Sequence, residues 1–131
     1  MTRPDERTDA RERALILLYE AETKGVAPSA VLAHQISPAD ELTVLLVEGV
    51  EQHMARLDEV IAGHAKGWTL KRMPTIDRNV LRIAAFELLG RPDVPVAVVL
   101  DEAVELAKRL STDESRRFVH GVLSAPGPLL R

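Results

Sequence analysis

The sequence contains no cysteine and only four aromatic residues, Tyr19, Trp68, Phe86 and Phe118. The lack of cysteine excludes a disulfide framework, a thiolate zinc site and a cysteine nucleophile. No apolar run is long enough to cross a bilayer, and the opening residues MTRPDERTDA lack the apolar core of a secretory signal. With 46% hydrophobic and 28% charged residues, the composition is typical of a soluble globular protein, and we expect a cytoplasmic one.

The common motifs of catalysis and cofactor binding are also missing. The sequence has no glycine-rich phosphate loop, no G-x-S-x-G elbow and no H-E-x-x-H. His53 and His64 would lie about three turns apart on one helix, too far to hold one metal ion. Acids such as Glu102 and Glu105 have no nucleophile or base beside them, and such pairs are common on solvated helix faces. We therefore expect neither an enzyme nor a metal or cofactor site.

Apolar residues recur with helical spacing along the whole chain, and no run alternates with the period of a strand. A length of 131 residues suggests one domain, with residues 1–8 and 126–131 as loose tails. We predict an all-α fold, a compact bundle of six to seven helices; two small helical lobes around a central buried helix remain compatible with the pattern. The predicted helices begin near Asp9, Ser29, Pro38, Thr75, Pro95 and Asp113, with a break near His53 in the third and a short turn over Leu70–Met73.

The stretch Ile76–Gly90 is predicted to be the central helix. Between Val80 and Leu89 only Arg82 and Glu87 are charged, so the helix is apolar on nearly every side and has to be enclosed by others. Leu42, Leu45 and Leu46, with Gly49 and Val50, form an apolar stripe on an earlier helix, which is either interior or the seam of a homodimer.

Charge is distributed unevenly, although the net charge is only −3. Residues 38–64 contain six acids and one arginine, whereas residues 66–82 contain five bases and one acid. Arginines also recur in the first helix. Arg7 and Arg11 lie on a row of helix positions that is apolar further along the helix. Two interpretations stay open: a basic face for nucleic acid, or charges that merely solvate helix surfaces.

The last helix places an aromatic ring beside two arginines. Phe118 follows Arg116 and Arg117 and falls at the edge of the apolar stripe defined by Val119 and Val122. An exposed ring could stack on an unpaired base while the arginines meet phosphate. The alternative is that Phe118 is an edge residue of the core. Trp68 has the same ambiguity, and we expect it to pin a loop to the bundle.

Four motifs in order resemble those of the NusB family of transcription antitermination factors. They are Asn79–Ala84 followed by Phe86–Leu88, then Asp93–Pro95, Asp101–Lys108 and Phe118–Leu123, and the opening Ala10-Arg11-Glu12 with Leu18-Tyr19 also fits. The resemblance implies an all-helical, non-catalytic protein that binds the single-stranded boxA element of nascent RNA. Its partners would be the ribosomal protein NusE and, through the antitermination complex, RNA polymerase.

The resemblance also implies roles for individual residues. Arg7, Arg11 and Tyr19 on the first helix, and Arg116, Arg117 and Phe118 on the last, would bind RNA. Asp77, Arg78 and Arg82, at the start of the central helix, would meet the protein partner. We expect the opening arginines and Phe118 to come together as a single cationic and aromatic ledge.

The chain departs from the family pattern in its first helix and at His120. Thr8 and Asp9 stand where a denser run of bases is usual, His120 replaces the usual asparagine, and Ile16 stands where glutamine is common. Fewer phosphate contacts weaken binding and flatten its salt dependence, so we expect modest RNA affinity unless the partner contributes. Two other functions stay open: a protein-binding or self-associating helical module, and the isolated RNA-binding domain of an RNA cytosine methyltransferase. The second would need a cofactor-binding domain that does not follow here.

Overall fold

A computed structural model of the chain describes residues 4–65, 67 and 69–124. This part of the chain forms seven α-helices and one 3₁₀ turn, and it contains no β-strand. The predicted all-α fold is therefore confirmed. The elements are α1 (Pro4–Lys24), α2 (Pro28–Ala33), α3 (Glu41–Gln52), α4 (Met54–His64), the 3₁₀ turn (Leu70–Arg72), α5 (Thr75–Gly90), α6 (Val96–Leu110) and α7 (Asp113–Ser124).

Most helix ends follow local signals in the sequence. Gly25 adopts a φ of 67°, which an L side chain rarely adopts, and it ends α1. His53 separates α3 from α4 at the predicted break. The Thr112 hydroxyl accepts a hydrogen bond from the Ser115 amide at 3.1 Å and caps α7. Pro95 precedes the first residue of α6, as predicted.

Two predicted starts are wrong. The first helix begins at Pro4 rather than near Asp9, so residues 4–8 are helical and not loose, whereas residues 1–3 and 126–131 lie outside the described part. The third begins at Glu41 rather than Pro38, because the Asp40 carboxylate accepts the Thr43 amide at 2.8 Å and caps the helix there.

The helix α5 is the central post of the bundle. It packs against α1, α3, α4, α6 and α7, and its residues from Asn79 to Leu88 are buried. Phe86 lies over Gly49 of α3, where an added Cβ would come within 2.2 Å of the ring. Glycine at this position therefore allows the two helices to approach. Leu45, predicted on the same apolar stripe, is exposed.

Long-range ion pairs show how the helices run relative to α5. Glu22, near the end of α1, contacts Arg78 at the start of α5, and Arg11 contacts Glu87 near its end. Helices α1 and α5 are therefore antiparallel. The start of α7 also lies beside the start of α5, since Phe118 lines one depression with Asp77. We call the Asp77–Phe118 side the aromatic end, and the side of Arg7, Arg11 and Arg91 the arginine end.

Along α5, Asp77 and Glu87 are separated by about 15 Å at 1.5 Å per residue. Residues at the two ends therefore do not meet. Within residues 4–65 and 69–124, no helix is long and apolar enough to span a bilayer.

Candidate nucleic-acid interface

A depression of about 390 Å³ opens at the aromatic end, between the start of α5 and the start of α7. Its volume falls within the roughly 300–1,000 Å³ typical of small-molecule pockets. The half-buried ring of Phe118 forms an apolar wall, so the residue is neither sealed in the core nor fully exposed. The complete lining is Pro74, Asp77, Ser111, Thr112, Glu114, Ser115 and Phe118.

The Asp77 carboxyl is the unusual group in this depression. Asp77 is only 2% exposed, and its Oδ1 accepts no hydrogen bond from the described part of the chain. Burial raises the pKa of Asp77; the Ser115 hydroxyl opposes that rise and the charge of Glu114 adds to it. A buried carboxylate oxygen without a partner is costly, and in native proteins such an atom calls for an explanation.

Exposed cations are close in sequence to residues that line the depression. Arg117 adjoins Phe118 on α7, and Lys71 and Arg72 end the 3₁₀ turn just before Met73 and Pro74. None of these three has an ion pair among the described residues. Arg116 has only a long contact, 3.9 Å, with exposed Asp113, so its charge is little neutralised. The aromatic end thus combines the buried Asp77 carboxyl and the exposed acid Glu114 in the depression with exposed cations at neighbouring positions of the sequence.

Arg78 and Arg82 do not present free guanidinium groups to a partner. Arg78 donates to the carbonyls of Leu70 and Met73 at 2.6 and 2.9 Å, and it is also paired with Glu22. The contact of Arg78 with a protein partner stays a prediction. The bonds of Arg78 hold the 3₁₀ turn and Pro74 against the start of α5.

Arg82 is held in the same way. Its guanidinium donates two hydrogen bonds to Asp58, at 2.7 and 3.0 Å, and a third to Glu22 at 3.0 Å. The arginines lower the pKa of Glu22 against the opposing effect of burial, with Arg78 making the larger contribution. Arg82 therefore joins α5 to α1 and α4, whereas Arg78 joins α5 to α1 and the 3₁₀ turn. Their acidic partners could not be predicted from the sequence.

Tyr19 lies at the aromatic end, because it precedes Glu22 by less than one turn of α1. Tyr19 is 41% exposed, and its hydroxyl makes no hydrogen bond to the described part of the chain. The ring is therefore accessible, as an RNA-binding role requires. His120 is exposed on α7 and lines a shallow depression with Arg116 and acids of α6.

At the arginine end, Arg11 is locked inside the bundle. Its residue is 2% exposed, and Nε and Nη2 donate to the two carboxylate oxygens of Glu87 at 2.7 and 2.9 Å. Glu102 lies 3.6 Å from Nη1, and Arg91 donates to Glu87 at 2.9 Å. Despite desolvation, Glu87 and then Glu102 raise the pKa of Arg11. The prediction that Arg11 contacts RNA is corrected: it is a structural ion-pair residue.

Arg7, one turn earlier on the same row, is different. It is exposed, and it has no ion pair within the described residues. It lines a depression of about 530 Å³ together with Arg91, Asp93 and the start of α6. Arg7 therefore remains available to a phosphate, whereas Arg11 does not.

The structure does not assemble the predicted single ledge. Phe118 lines the depression at the aromatic end, Tyr19 lies near the same level along α1, and Arg7 lines a depression at the arginine end. An RNA strand that contacts both ends has to extend along the molecule. The depression's hydroxyl groups, and Lys71 and Arg72, were not predicted as site residues; the basic run of residues 66–82 was the one available signal. Among the described residues there is no cluster of metal-ligating side chains.

Comparison with known proteins gives a consistent result. The NusB family model matches residues 8–126. The chain is 54% identical over 123 residues to the transcription antitermination protein NusB of Acidothermus cellulolyticus, covering 91% of this chain and 85% of that protein. It is 52% identical over 123 residues to that of Saccharopolyspora erythraea, covering 89% and 83%.

Solved structures show the same likeness. The structure of T. maritima NusB superposes with a TM-score of 0.81 at 30% identity, over 94% of this chain and 89% of that one. A crystal structure of the antitermination factors NusB and NusE in complex with dsRNA superposes with a TM-score of 0.78 at 25% identity, over 93% and 96%.

Proposed function

The chain belongs to the NusB family, and we propose that it is a transcription antitermination factor that binds boxA-type RNA together with the ribosomal protein NusE. A relative of the same fold is found with NusE and RNA in one structure. The proposed place of action is the cytoplasm, beside RNA polymerase on the nascent transcript. We assign no catalytic step to the chain.

The observation that carries the RNA-binding role is the half-buried Phe118 ring next to Arg117, which is exposed and has no ion pair within the described part of the chain. Stacking on an aromatic ring is tolerant of sequence and requires an unpaired base. Arg117 on the same helix can neutralise the phosphate next to a stacked base. These features favour single-stranded RNA at this end. Arg7 at the arginine end supplies a further phosphate contact, for which this exposed arginine is suited.

Fewer residues are candidates for contact with the protein partner than for contact with RNA. Arg78 and Arg82 act indirectly in this proposal, by holding the 3₁₀ turn and α1 in place around Asp77. NusE would then contact the surface that these bonds shape, rather than the guanidinium groups.

The test is a titration of labelled boxA-type RNA at two salt concentrations, with and without NusE. We expect binding that weakens with salt and strengthens with NusE. Phe118→Ala should cost about 1–3 kcal/mol of RNA binding free energy, because stacking is lost. An unchanged dissociation constant in a folded variant would remove Phe118 from the site. A duplex competitor that displaces the single strand fully would contradict the single-stranded mode.

A second candidate function is a module that binds only proteins, including a second copy of the chain. The observation that favours it is a set of exposed apolar side chains on α1 and α3, namely Ile16, Tyr19 and Leu45. If the chain binds no RNA at either salt concentration with NusE present, protein binding is the one candidate function that remains.

A further inference from the structure

The 3₁₀ turn is hydrogen-bonded to α5 through the side chain of Arg78. Its Nη1 donates to the Leu70 carbonyl at 2.6 Å and to the Met73 carbonyl at 2.9 Å, so it holds both ends of the turn. Met73 is also buried in the core. A short 3₁₀ turn has poor hydrogen-bond geometry and little stability of its own. The backbone between Leu70 and Met73 therefore depends on the position of the Arg78 guanidinium group.

Glu22 of α1 holds that guanidinium group in place. Nε of Arg78 donates to Oε1 of Glu22 at 3.4 Å, and Nη2 pairs with Oε2 of the same carboxylate. Nη2 also donates to the Thr75 hydroxyl at 3.3 Å. Together with the two carbonyls of the turn, these acceptors satisfy all five N–H groups of Arg78. Because Glu22 is the charged acceptor among them, it fixes the plane of the guanidinium group and keeps Nη1 on the turn.

Arg82 shares Glu22 but depends on it less. It donates to Glu22 at 3.0 Å, and it has two further hydrogen bonds to Asp58 at 2.7 and 3.0 Å. Replacement of Glu22 therefore leaves Arg82 with a carboxylate. Arg78 would keep only neutral acceptors within the described part of the chain. The loss of Glu22 should thus act on the turn rather than on α4.

The turn carries two cations, Lys71 and Arg72. Both are exposed, and neither has an ion pair among the described residues. Two such cations on adjacent residues suit a polyanion, whose phosphates repeat along the strand. Cations on a fixed backbone lose less conformational freedom on binding than cations on a loose segment do. RNA affinity should therefore depend on the bonds that fix the turn as well as on the two charges.

We propose that Glu22 is a positioning residue for RNA binding: through Arg78 it fixes the 3₁₀ turn so that Lys71 and Arg72 bind phosphates of the RNA strand. Glu22 itself does not touch RNA. This inference rests on the proposed RNA-binding function and adds Glu22 and the two cations to it. An acidic segment of the protein partner is the rival ligand for the cations, and NusE binding distinguishes it.

The sign of the Glu22→Gln effect separates positioning from simple charge. The variant is more positive by one charge, so electrostatics alone predicts tighter RNA binding. Positioning predicts weaker binding, because the turn is no longer fixed. We expect labelled boxA-type RNA to bind about three- to tenfold more weakly, as the cost of ordering one side chain on binding allows. Glu48→Gln, the same charge change at an exposed position of α3, should not weaken binding.

A double variant of the turn tests the cations. Lys71→Ala with Arg72→Ala should lower the slope of log K against log salt concentration by about 1.4, the loss of two phosphate contacts on a single strand. Lys24→Ala with Arg56→Ala removes two exposed cations elsewhere and should keep the wild-type slope. Adding Glu22→Gln to the turn variant should weaken binding no further, because the cations that Glu22 positions are gone.

Hydrogen exchange shows whether the turn itself responds. The Met73 amide donates to the Leu70 carbonyl at 3.1 Å, and it should exchange faster in Glu22→Gln than in the wild type. Amides in the buried part of α5 should keep their rates. Arg78→Lys keeps the charge but lacks the planar fork that serves Glu22 and both carbonyls, so it should reproduce both effects. It replaces Glu22→Gln in every comparison if that variant does not fold.

Three results would overturn the inference. An unchanged salt slope in the turn variant shows that Lys71 and Arg72 do not bind RNA, and loss of NusE binding there would give them to the protein partner. Equal or tighter RNA binding by folded Glu22→Gln shows that this acid positions nothing for RNA. Equal weakening by Glu22→Gln with and without the two cations places its effect elsewhere. In all three cases the wild type still binds RNA, so the proposed function survives; absence of RNA binding by the wild type with NusE present would remove the function as well.

Discussion

The two ends of α5 differ in how their buried charged groups are paired. At the arginine end, Arg11 and Arg91 enclose Glu87, and each charge has its counter-charge within 3 Å. At the aromatic end, the Asp77 carboxyl is equally buried, but Oδ1 has no hydrogen-bond partner among the described residues, and Arg117, Lys71 and Arg72 are exposed. Charges that are paired inside the bundle hold helices together, and charges left unpaired at its edge are available to a ligand.

We expect the largest effect on the free energy of unfolding when the ion pairs at the arginine end are broken. Glu87→Gln leaves Arg11 buried without a full counter-charge, because Glu102 is more distant, and it should reduce the free energy of unfolding by about 3–5 kcal/mol. Urea denaturation followed by far-UV circular dichroism measures this. Glu48→Gln, exposed on α3, is the matched control and should change stability by less than about 0.5 kcal/mol.

A double replacement separates the ion pair from simple packing. Arg11→Met with Glu87→Met removes both charges and keeps similar volumes, so it should recover much of the lost stability. If Glu87→Gln alone unfolds at the wild-type urea concentration, the arginine end does not depend on this pair.

A smaller effect, on RNA binding rather than on the free energy of unfolding, should distinguish Arg7 from Arg11, which lie on the same helix. Arg7→Ala should leave the urea midpoint unchanged, because its guanidinium has no ion pair among the described residues. It should weaken RNA binding and lower the slope of log K against log salt concentration by about 0.7, the loss of one phosphate contact on a single strand. Fluorescence anisotropy at four salt concentrations gives the slope. Arg56→Ala on α4 removes the same charge elsewhere and should keep the wild-type slope; an equal change in both variants would mean that only net charge matters.

The smallest effect concerns the pH dependence of stability at the aromatic end. The pKa of Asp77 is raised by burial, so the folded state binds this proton more tightly than the unfolded state does. Stability from this group is present when it is protonated and is lost as pH rises through the raised pKa. Asp77→Asn should therefore be no less stable than wild type at pH 7, and its advantage should shrink as pH falls toward the ordinary aspartate pKa near 4. Thermal unfolding from pH 4 to pH 8 tests this, and a variant whose disadvantage grows with pH would contradict it.

Much of the fold could be predicted because its signals are local. The apolar character of residues 80–89 identified α5 as the enclosed helix, and Gly25, His53 and Pro95 marked helix ends where the structure has them. The start of α3 was predicted too early because a proline such as Pro38 is common at the first position of a helix, while Asp40 is also a residue type that caps helices. Only the second places its carboxylate on an amide of the helix.

The sequence by itself determined the helices, the enclosed position of α5 and, through the order of its motifs, the family. Only the tertiary structure decided which charged side chains are free. Arg7 and Arg11 stand on the same row of α1, and no periodicity separates them; Glu87, which holds Arg11, lies 76 positions away. The physical reason is that helical spacing fixes the direction of a side chain on its own helix, whereas neutralisation depends on a counter-charge within a few ångströms on another helix.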